Sequence, residues 1–456
     1  MAKSRSTLVL EKRVRAGVTA SPQYLSGLDM FHSHASFPLV LVYKRGLDLA
    51  LLEKGLSEAL KRYPLVAGRY KKDAQGQVYM DCNDAGVDFR VHRCEGKMPY
   101  SEENPLGKDI MKHVKVQMPW AMVGKDKPPL QVNVHQYEDK GVVLCCYATH
   151  SVFDGASFWN FMMDWSKACR GMVLEPHQAL NRNLMIDAGK AQVDPASYDL
   201  LEKPPLFKLI GLFARLGWRA VKGIDSGLFR IPAETIQAWK DQSAAALPGS
   251  SGVSTGSLVT AYIMKGISPA LQPGVDRSVG LVMDLRYKRD LRLPRDYFGN
   301  ALCYAEARYT PEQLAKESLP VLAEKCRAPA EQVNTASLQR MLSDMEAYRQ
   351  KKANWRLLFK PTVETLKAGL ILNNCVQFPI YDIDMGSGAP DWYEMCPATI
   401  RLLLIVPTPS KDGGVDLLLS ASTAELKSLR AQFAADGINT TLKTPSKAPA
   451  DLASVG

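Results

Sequence analysis

One short segment constrains this chain more than any other. Val142-Val143-Leu144-Cys145-Cys146-Tyr147-Ala148 is an apolar, partly β-branched run of strand length. It ends on Thr149-His150-Ser151-Val152-Phe153-Asp154-Gly155, after which Phe158, Trp159, Phe161, Met162 and Trp165 recur at helical spacing. The pattern reads as a buried strand, a tight turn and a helix with an aromatic face. It delivers a histidine at the end of a strand, where an α/β layer can present it to a cleft.

The rest of the chain alternates in the same way. Phe37 to Tyr43, Val87 to Val91 and Leu130 to Tyr137 read as strands, and Leu47 to Arg62 as a helix ended by Tyr63-Pro64. Residues from about 170 to 205 have weak periodicity and read as the start of a long connection. Leu206 to Val221 reads as a basic amphipathic helix, suited to packing on the body of the protein or to touching a membrane surface. Ser243 to Gly256 reads as a loop before a helix at Ser257 to Ile267. Strands are expected near Val279 to Met283, Ala301 to Ala307 and Ile400 to Val406, and helices over Glu312 to Cys326 and Ser337 to Lys352. The expected division is 1–175, a crossover at 176–230, 231–440 and a tail at 441–456. A chain of 456 residues exceeds one compact core, so two or more domains follow from length alone.

Composition limits the partners. The formal charge of +10 suits an anionic ligand, but the basic residues are scattered, and no interleaved aromatic–basic motif points to nucleic acid. The nine cysteines include no CxxC pair, and their spacing fits neither a disulfide scaffold nor a zinc site. Free thiols in a reducing compartment are the plain reading. The apolar run at the N-terminus is only Leu8-Val9-Leu10, too short for a signal peptide, and no run reaches the length of a membrane span. The expectation is a cytoplasmic monomer.

Histidine titrates near working pH and is the commonest general base. His-x3-Asp alone carries little information, however, and a buried structural histidine satisfies it equally. Asp154 is placed either to hold His150 or to anchor the turn on an arginine.

Further segments, in order, carry a resemblance. They are Leu25-Ser26-Gly27-Leu28-Asp29, Tyr63-Pro64-Leu65-Val66-Ala67-Gly68-Arg69, Val253-Ser254-Thr255, Asp284-Leu285-Arg286 with Tyr297-Phe298-Gly299-Asn300, and Asp384-Met385-Gly386-Ser387-Gly388. With His150 to Gly155 they resemble the BAHD acyltransferases of the CoA-dependent acyltransferase superfamily, whose HxxxDG, YFGN and DFGWG motifs fall in this order. Met385 and Ser387 replace the two aromatics of the last motif, which marks a distant member.

The resemblance implies an α/β (α+β) fold of two similar chloramphenicol-acetyltransferase-like domains, each a mixed sheet with flanking helices. It implies a channel between them, acyl-CoA as co-substrate with no permanently bound cofactor and no metal, and a small hydroxylated or amine acceptor. His150 is then the catalytic base. Asp154, Gly155, Arg286, Asp384, Gly386 and Gly388 are structural, with Arg286 pairing Asp154. Ser254, Thr255 and Ser387 are candidates for CoA contact, though Ser254 and Thr255 equally suit a helix cap. His32 and His34 are candidates for the acceptor pocket or for plain packing. The basic cluster Arg349, Lys351, Lys352, Arg356 and Lys360 suits CoA phosphates or a solvated face. O-acylation is the leading reading and N-acylation the near one; a non-catalytic binding protein or a membrane-surface protein on the same fold is the alternative.

Overall fold

The structure is a computed structural model. It describes residues 5–98, 119–175, 180–191, 193–194, 196–212, 214, 224–248, 252–288, 291–360, 369–396 and 400–440.

Two six-stranded mixed sheets organise the chain. The first runs, in spatial order, Ser6–Val14, Val87–Cys94, Leu130–Tyr137, Val142–Thr149, Ser36–Tyr43 and Trp392–Glu394. The second runs Asp225–Ile231, Val415–Ala421, Leu402–Pro407, Leu370–Asn374, Arg277–Asp284 and Leu302–Tyr309. Each sheet holds one parallel stretch among antiparallel pairs: Val87–Cys94 with Leu130–Tyr137 in the first, and Leu370–Asn374 with both its neighbours in the second. The helices Leu49–Arg62 and Gly155–Cys169 pack together over the first sheet, and Thr255–Ile267, Leu319–Gln332 and Thr423–Ala435 pack over the second. The strand ending at Thr149 is buried at every residue.

The two halves interlock. Trp392–Glu394, late in the chain, adds the edge strand to the first sheet, opposite Val40 to Val42. Leu228, Leu404, Val406 and Leu418 of the second sheet belong to the first core, while Leu28 and Phe31 belong to the second. On the second sheet, the face that buries Leu418 and Val406 against the first half continues toward half-exposed Val282, Leu302, Tyr304 and Ile371. The seam between the halves therefore opens along its length.

Expected and observed elements agree to within a few residues for most strands. Glu312 to Cys326 is not one helix. It is two, Pro311–Lys316 and Leu319–Gln332: Glu317 and Ser318 are extended, and Pro320, which has no N–H to continue the first helix, stands in the first turn of the second. Part of the Ser243 to Gly256 stretch is helical, since Ala233–Ala246 forms a helix. The amphipathic helix starts at Leu206, but positions 213 and 215–223 lie outside the described residues, as does the tail at 441–456. Among the described residues no helix is long and apolar enough to cross a membrane.

Candidate active site

His150 stands immediately after its strand, in the seam. Its backbone N–H donates to Ala35 O at 2.9 Å. The residue is half-buried, and burial is the largest influence on its titration. His34 is exposed, more so than His150, and lies within the electrostatic reach of His150. Phe37 meets the His150 ring edge-on at 5.4 Å.

The tautomer follows from the bonds of Asn300. Its Nδ2 donates to Asp29 Oδ1 at 2.9 Å and to His150 O at 2.7 Å, which fixes the orientation of the amide. Its Oδ1 is then an acceptor, 2.9 Å from His150 Nδ1. Nδ1 must carry the hydrogen, and Nε2 holds the free lone pair. Burial lowers the pKa of His150 below the ordinary histidine value, against opposing contributions from its own backbone, Asp154, Asn300 and Asp29. The ring is therefore neutral near pH 7.

Asp154 does not touch the histidine ring. Its oxygens receive Arg286 Nη1 at 2.9 Å and Nη2 at 3.0 Å, Ser157 N at 2.8 Å and Ala301 N at 3.0 Å. It caps the Gly155–Cys169 helix and binds that helix to the second half. Burial pushes its pKa up, but Arg286 and the two backbone donors outweigh burial and hold the carboxyl below its usual value. Arg286 also donates to Tyr297 O, Gly299 O, Ser157 Oγ and Asp284 Oδ1. A Cβ on Gly155 would lie 3.0 Å from the Phe378 ring, so this position needs glycine for close approach.

A second buried pair supports the same turn. Arg182 Nη1 lies 2.8 Å from Asp29 Oδ2, with both side chains fully enclosed. Arg182 Nη2 donates to Val152 O at 2.6 Å. Asp29 receives Asn300 through Oδ1 and Ser26 through Oδ2. The chain Arg182–Asp29–Asn300–His150 thus ties the connecting segment, the first helix, the second half and the strand-end histidine together. Sequence reasoning missed this set. Asp29 and Asn300 sit in the quoted motifs, but nothing in their spacing shows that they meet, and Arg182 lies in a stretch without periodicity.

Other candidates are placed differently. Asp384 Oδ1 accepts from Gly386 N and Gly388 N, both at 2.8 Å, and the two glycines take φ of +101° and +95°, where a side chain would be strained. Met385 is fully buried and packs on Cys169. Ser387 lines a hollow of about 500 Å³ with Arg45, Lys140 and Val142, at the start of the strand that ends beside His150. At roughly 3.3 Å per strand residue, Ser387 is on the order of 20 Å from His150 along that strand. The Ser254 hydroxyl caps the Thr255–Ile267 helix by accepting from Ser257 N at 3.1 Å, and half-exposed Thr255 opens that helix. Arg349 is clamped by Glu346 and Gln77, so it is not a free phosphate ligand. His32 is buried against His150 instead of lining an open pocket.

Two layered halves, each a mixed sheet with flanking helices and with His150 in the seam between them, define a CoA-type acyltransferase fold. The chain matches the Transferase family over residues 23–436 and belongs to it; this is the BAHD acyltransferase family. It is 25% identical to tryptamine hydroxycinnamoyltransferase 2 of Oryza sativa subsp. japonica, over 82% of this chain and 84% of that one. It is also 25% identical to hydroxycinnamoyl-CoA:5-hydroxyanthranilate N-hydroxycinnamoyltransferase HHT4 of Avena sativa, over 89% and 93%. Among solved structures it resembles vinorine synthase (TM-score 0.69, 19% identity, 94% of this chain and 98% of that one). F. graminearum TRI101 complexed with coenzyme A and T-2 mycotoxin is similar in fold (TM-score 0.72, 17% identity, 92% and 99%).

Proposed function

We propose that this protein transfers an acyl group from a CoA thioester to a hydroxyl of a small acceptor, or to an amine, with His150 as general base. The observation that carries this reading is the bond from His150 Nδ1–H to Asn300 Oδ1, which leaves a neutral ring with its Nε2 lone pair in a half-open passage. The acceptor O–H gives its proton to Nε2 as its oxygen attacks the thioester carbonyl. The tetrahedral intermediate collapses, the C–S bond breaks, and the imidazolium returns the proton to the leaving thiolate. Products are an ester, or an amide, and free CoA. Holding both substrates in one passage supplies the proximity that a bimolecular reaction lacks.

The lowered pKa bears on the nucleophile. Such a base is too weak to strip an alkylammonium of pKa about 10, whereas a hydroxyl loses its proton only as the new bond forms. An amine must therefore bind as its free base. Names such as agmatine coumaroyltransferase-1 of Hordeum vulgare, a relative at 22% identity, keep the amine in view. A panel of acyl-CoAs against pooled alcohols and amines, followed by release of free CoA thiol, tests the reading. Acceptor-dependent release that is lost in His150→Ala is the expected result; release of equal size in His150→Ala overturns it.

A further inference from the structure

The face of the His150 ring is occupied by another histidine. His32 lies nearly parallel to it, with ring centroids 4.5 Å apart and 14° between planes. His32 is 5% exposed and ends the Gly27–Phe31 helix. Its ring Nδ1 is 2.9 Å from Leu28 O, and since a carbonyl only accepts, this nitrogen carries a hydrogen. Phe31 packs edge-on against the same ring at 5.0 Å. Nε2 is buried and has no hydrogen-bond partner among the described residues. An orphaned buried acceptor costs stability, and a phenylalanine would stack without it. What a phenylalanine lacks is the bond to Leu28, which fixes the rotation of the ring.

We infer that His32 is a positioning residue for acyl transfer: its tethered ring holds the His150 imidazole in the plane that the Asn300 bond requires and keeps water off that face. This rests on the base role of His150 proposed above. Without the stack, the His150 ring turns about its Cβ–Cγ bond, the Nδ1–H···Oδ1 alignment fails, and Nε2 is no longer held as the free lone pair. The two rings also share one region of potential. Burial first, and then the neighbouring His150, hold His32 far below the ordinary histidine range, so it is neutral when His150 becomes an imidazolium. The other titratable groups facing the pair are His34, from the turn after the helix, and Asp29 and Asp154, whose charges are taken up by Arg182 and Arg286.

The test compares His32→Ala, His32→Leu and His32→Phe with the unaltered protein and His150→Ala, using the acyl-CoA and acceptor pair with the fastest thiol release. The ringless variants are expected to lose kcat by roughly tenfold to a hundredfold, with the KM for acyl-CoA little changed. In His32→Ala the acid limb of kcat/KM moves up toward the ordinary histidine value of about 6.5 as water reaches the face. His32→Phe, which keeps the stack and lacks only the Leu28 tether, recovers part of kcat and brings the limb back toward its original place. Modification of His150 by diethyl pyrocarbonate, read by peptide mass, gives a substrate-free measure: it is expected to be faster in His32→Ala and near the original rate in His32→Phe. A purely structural role moves neither the limb nor the modification rate of a variant that melts normally, and if His32→Ala melts early, His32→Leu supplies the ringless comparison. Unchanged kcat, limb and modification rate in the ringless variants overturn the inference, as does a His32→Phe protein as slow as they are. Full activity of His150→Ala removes the base reading itself, while a dead His150→Ala beside an unaffected His32→Leu removes only the inference about His32.

Discussion

Asn300 grips His150 by two bonds of opposite sense: its Nδ2 donates to the His150 carbonyl at 2.7 Å, and its Oδ1 accepts the ring Nδ1–H at 2.9 Å. One side chain thus sets both the backbone turn and the ring tautomer. Asn300→Ala removes both bonds and takes one side-chain donor from Asp29 Oδ1, which keeps the backbone N–H of position 300. Loss of a group that orients a catalytic histidine is costly in rate, and kcat is expected to fall on the order of a hundredfold or more. Asn300→Asp keeps an acceptor at Nδ1 but sets a carboxylate against Asp29. That raises the pKa of His150 and shifts the acid limb of kcat/KM upward, in the direction opposite to the effect of burial. Steady-state kinetics across pH check both variants.

His150→Ala separates chemistry from folding. The ring is half-exposed and bonded only through Asn300, whereas the backbone of the turn is held independently by Arg182. Activity is expected to fall by about two to four powers of ten, the usual contribution of a positioned base. The melting temperature should stay near that of the unaltered protein. A variant with early melting as well as lost activity would show that the ring carries the fold.

The pH dependence has a defined sign. His150 must be neutral to accept a proton, and its pKa is lowered below 6.5. Activity is therefore flat above about pH 6.5 and falls with unit slope as pH drops through the lowered value. A limb centred above 6.5 in the free enzyme would show that the neighbouring carboxylates outweigh burial.

Asp154 and Arg286 form a buried ion pair between the halves, and removing Asp154 leaves the buried guanidinium with half-buried Asp284 as its remaining carboxylate partner among the described residues. Asp154→Ala is expected to cost roughly 3–5 kcal/mol of stability, measured by denaturant unfolding. Because the Asp154 pKa is lowered in the folded state, the stability it adds is present above the unfolded carboxylate value of about 3.9 and is lost as pH falls through the folded value. The variant should thus differ most from the unaltered protein near neutrality and least in strong acid.

Local signals were legible in the sequence; long-range partners were less so. The strand at Val142–Thr149, the helix after it and the turn between them are written in adjacent residues, so their reading carried over almost unchanged. Pro320 also carried a local signal, and the single helix expected over Glu312 to Cys326 overlooked it. The edge strand Trp392–Glu394 is three residues long and takes its place only by pairing with Val40 to Val42, a register that no local pattern encodes. At the site, His150 stood out because its chemistry and setting coincide. Arg182 did not, because its meaning comes from Asp29, far away in sequence, and from the carbonyl of Val152.

Glu394 on that edge strand yields a last prediction. It is buried, and its carboxylate accepts from Trp392 Nε1 through Oε2 at 3.2 Å. Burial raises its pKa to about 8, against a small opposing effect of Trp392. The folded protein therefore binds this proton more tightly than the unfolded chain, whose glutamate titrates near 4.3. Stability from this group is complete at low pH and is lost as pH rises from about 4.5 toward 8, where the shift amounts to roughly 5 kcal/mol. Glu394→Gln keeps the shape and the acceptor and removes the titration. Unfolding in urea at mildly acidic and mildly alkaline pH should show the unaltered protein losing stability across that interval and the variant losing much less. Parallel curves for the two proteins would mean that Glu394 is already ionised in the fold, with a charge partner or water path at the edge of the first sheet.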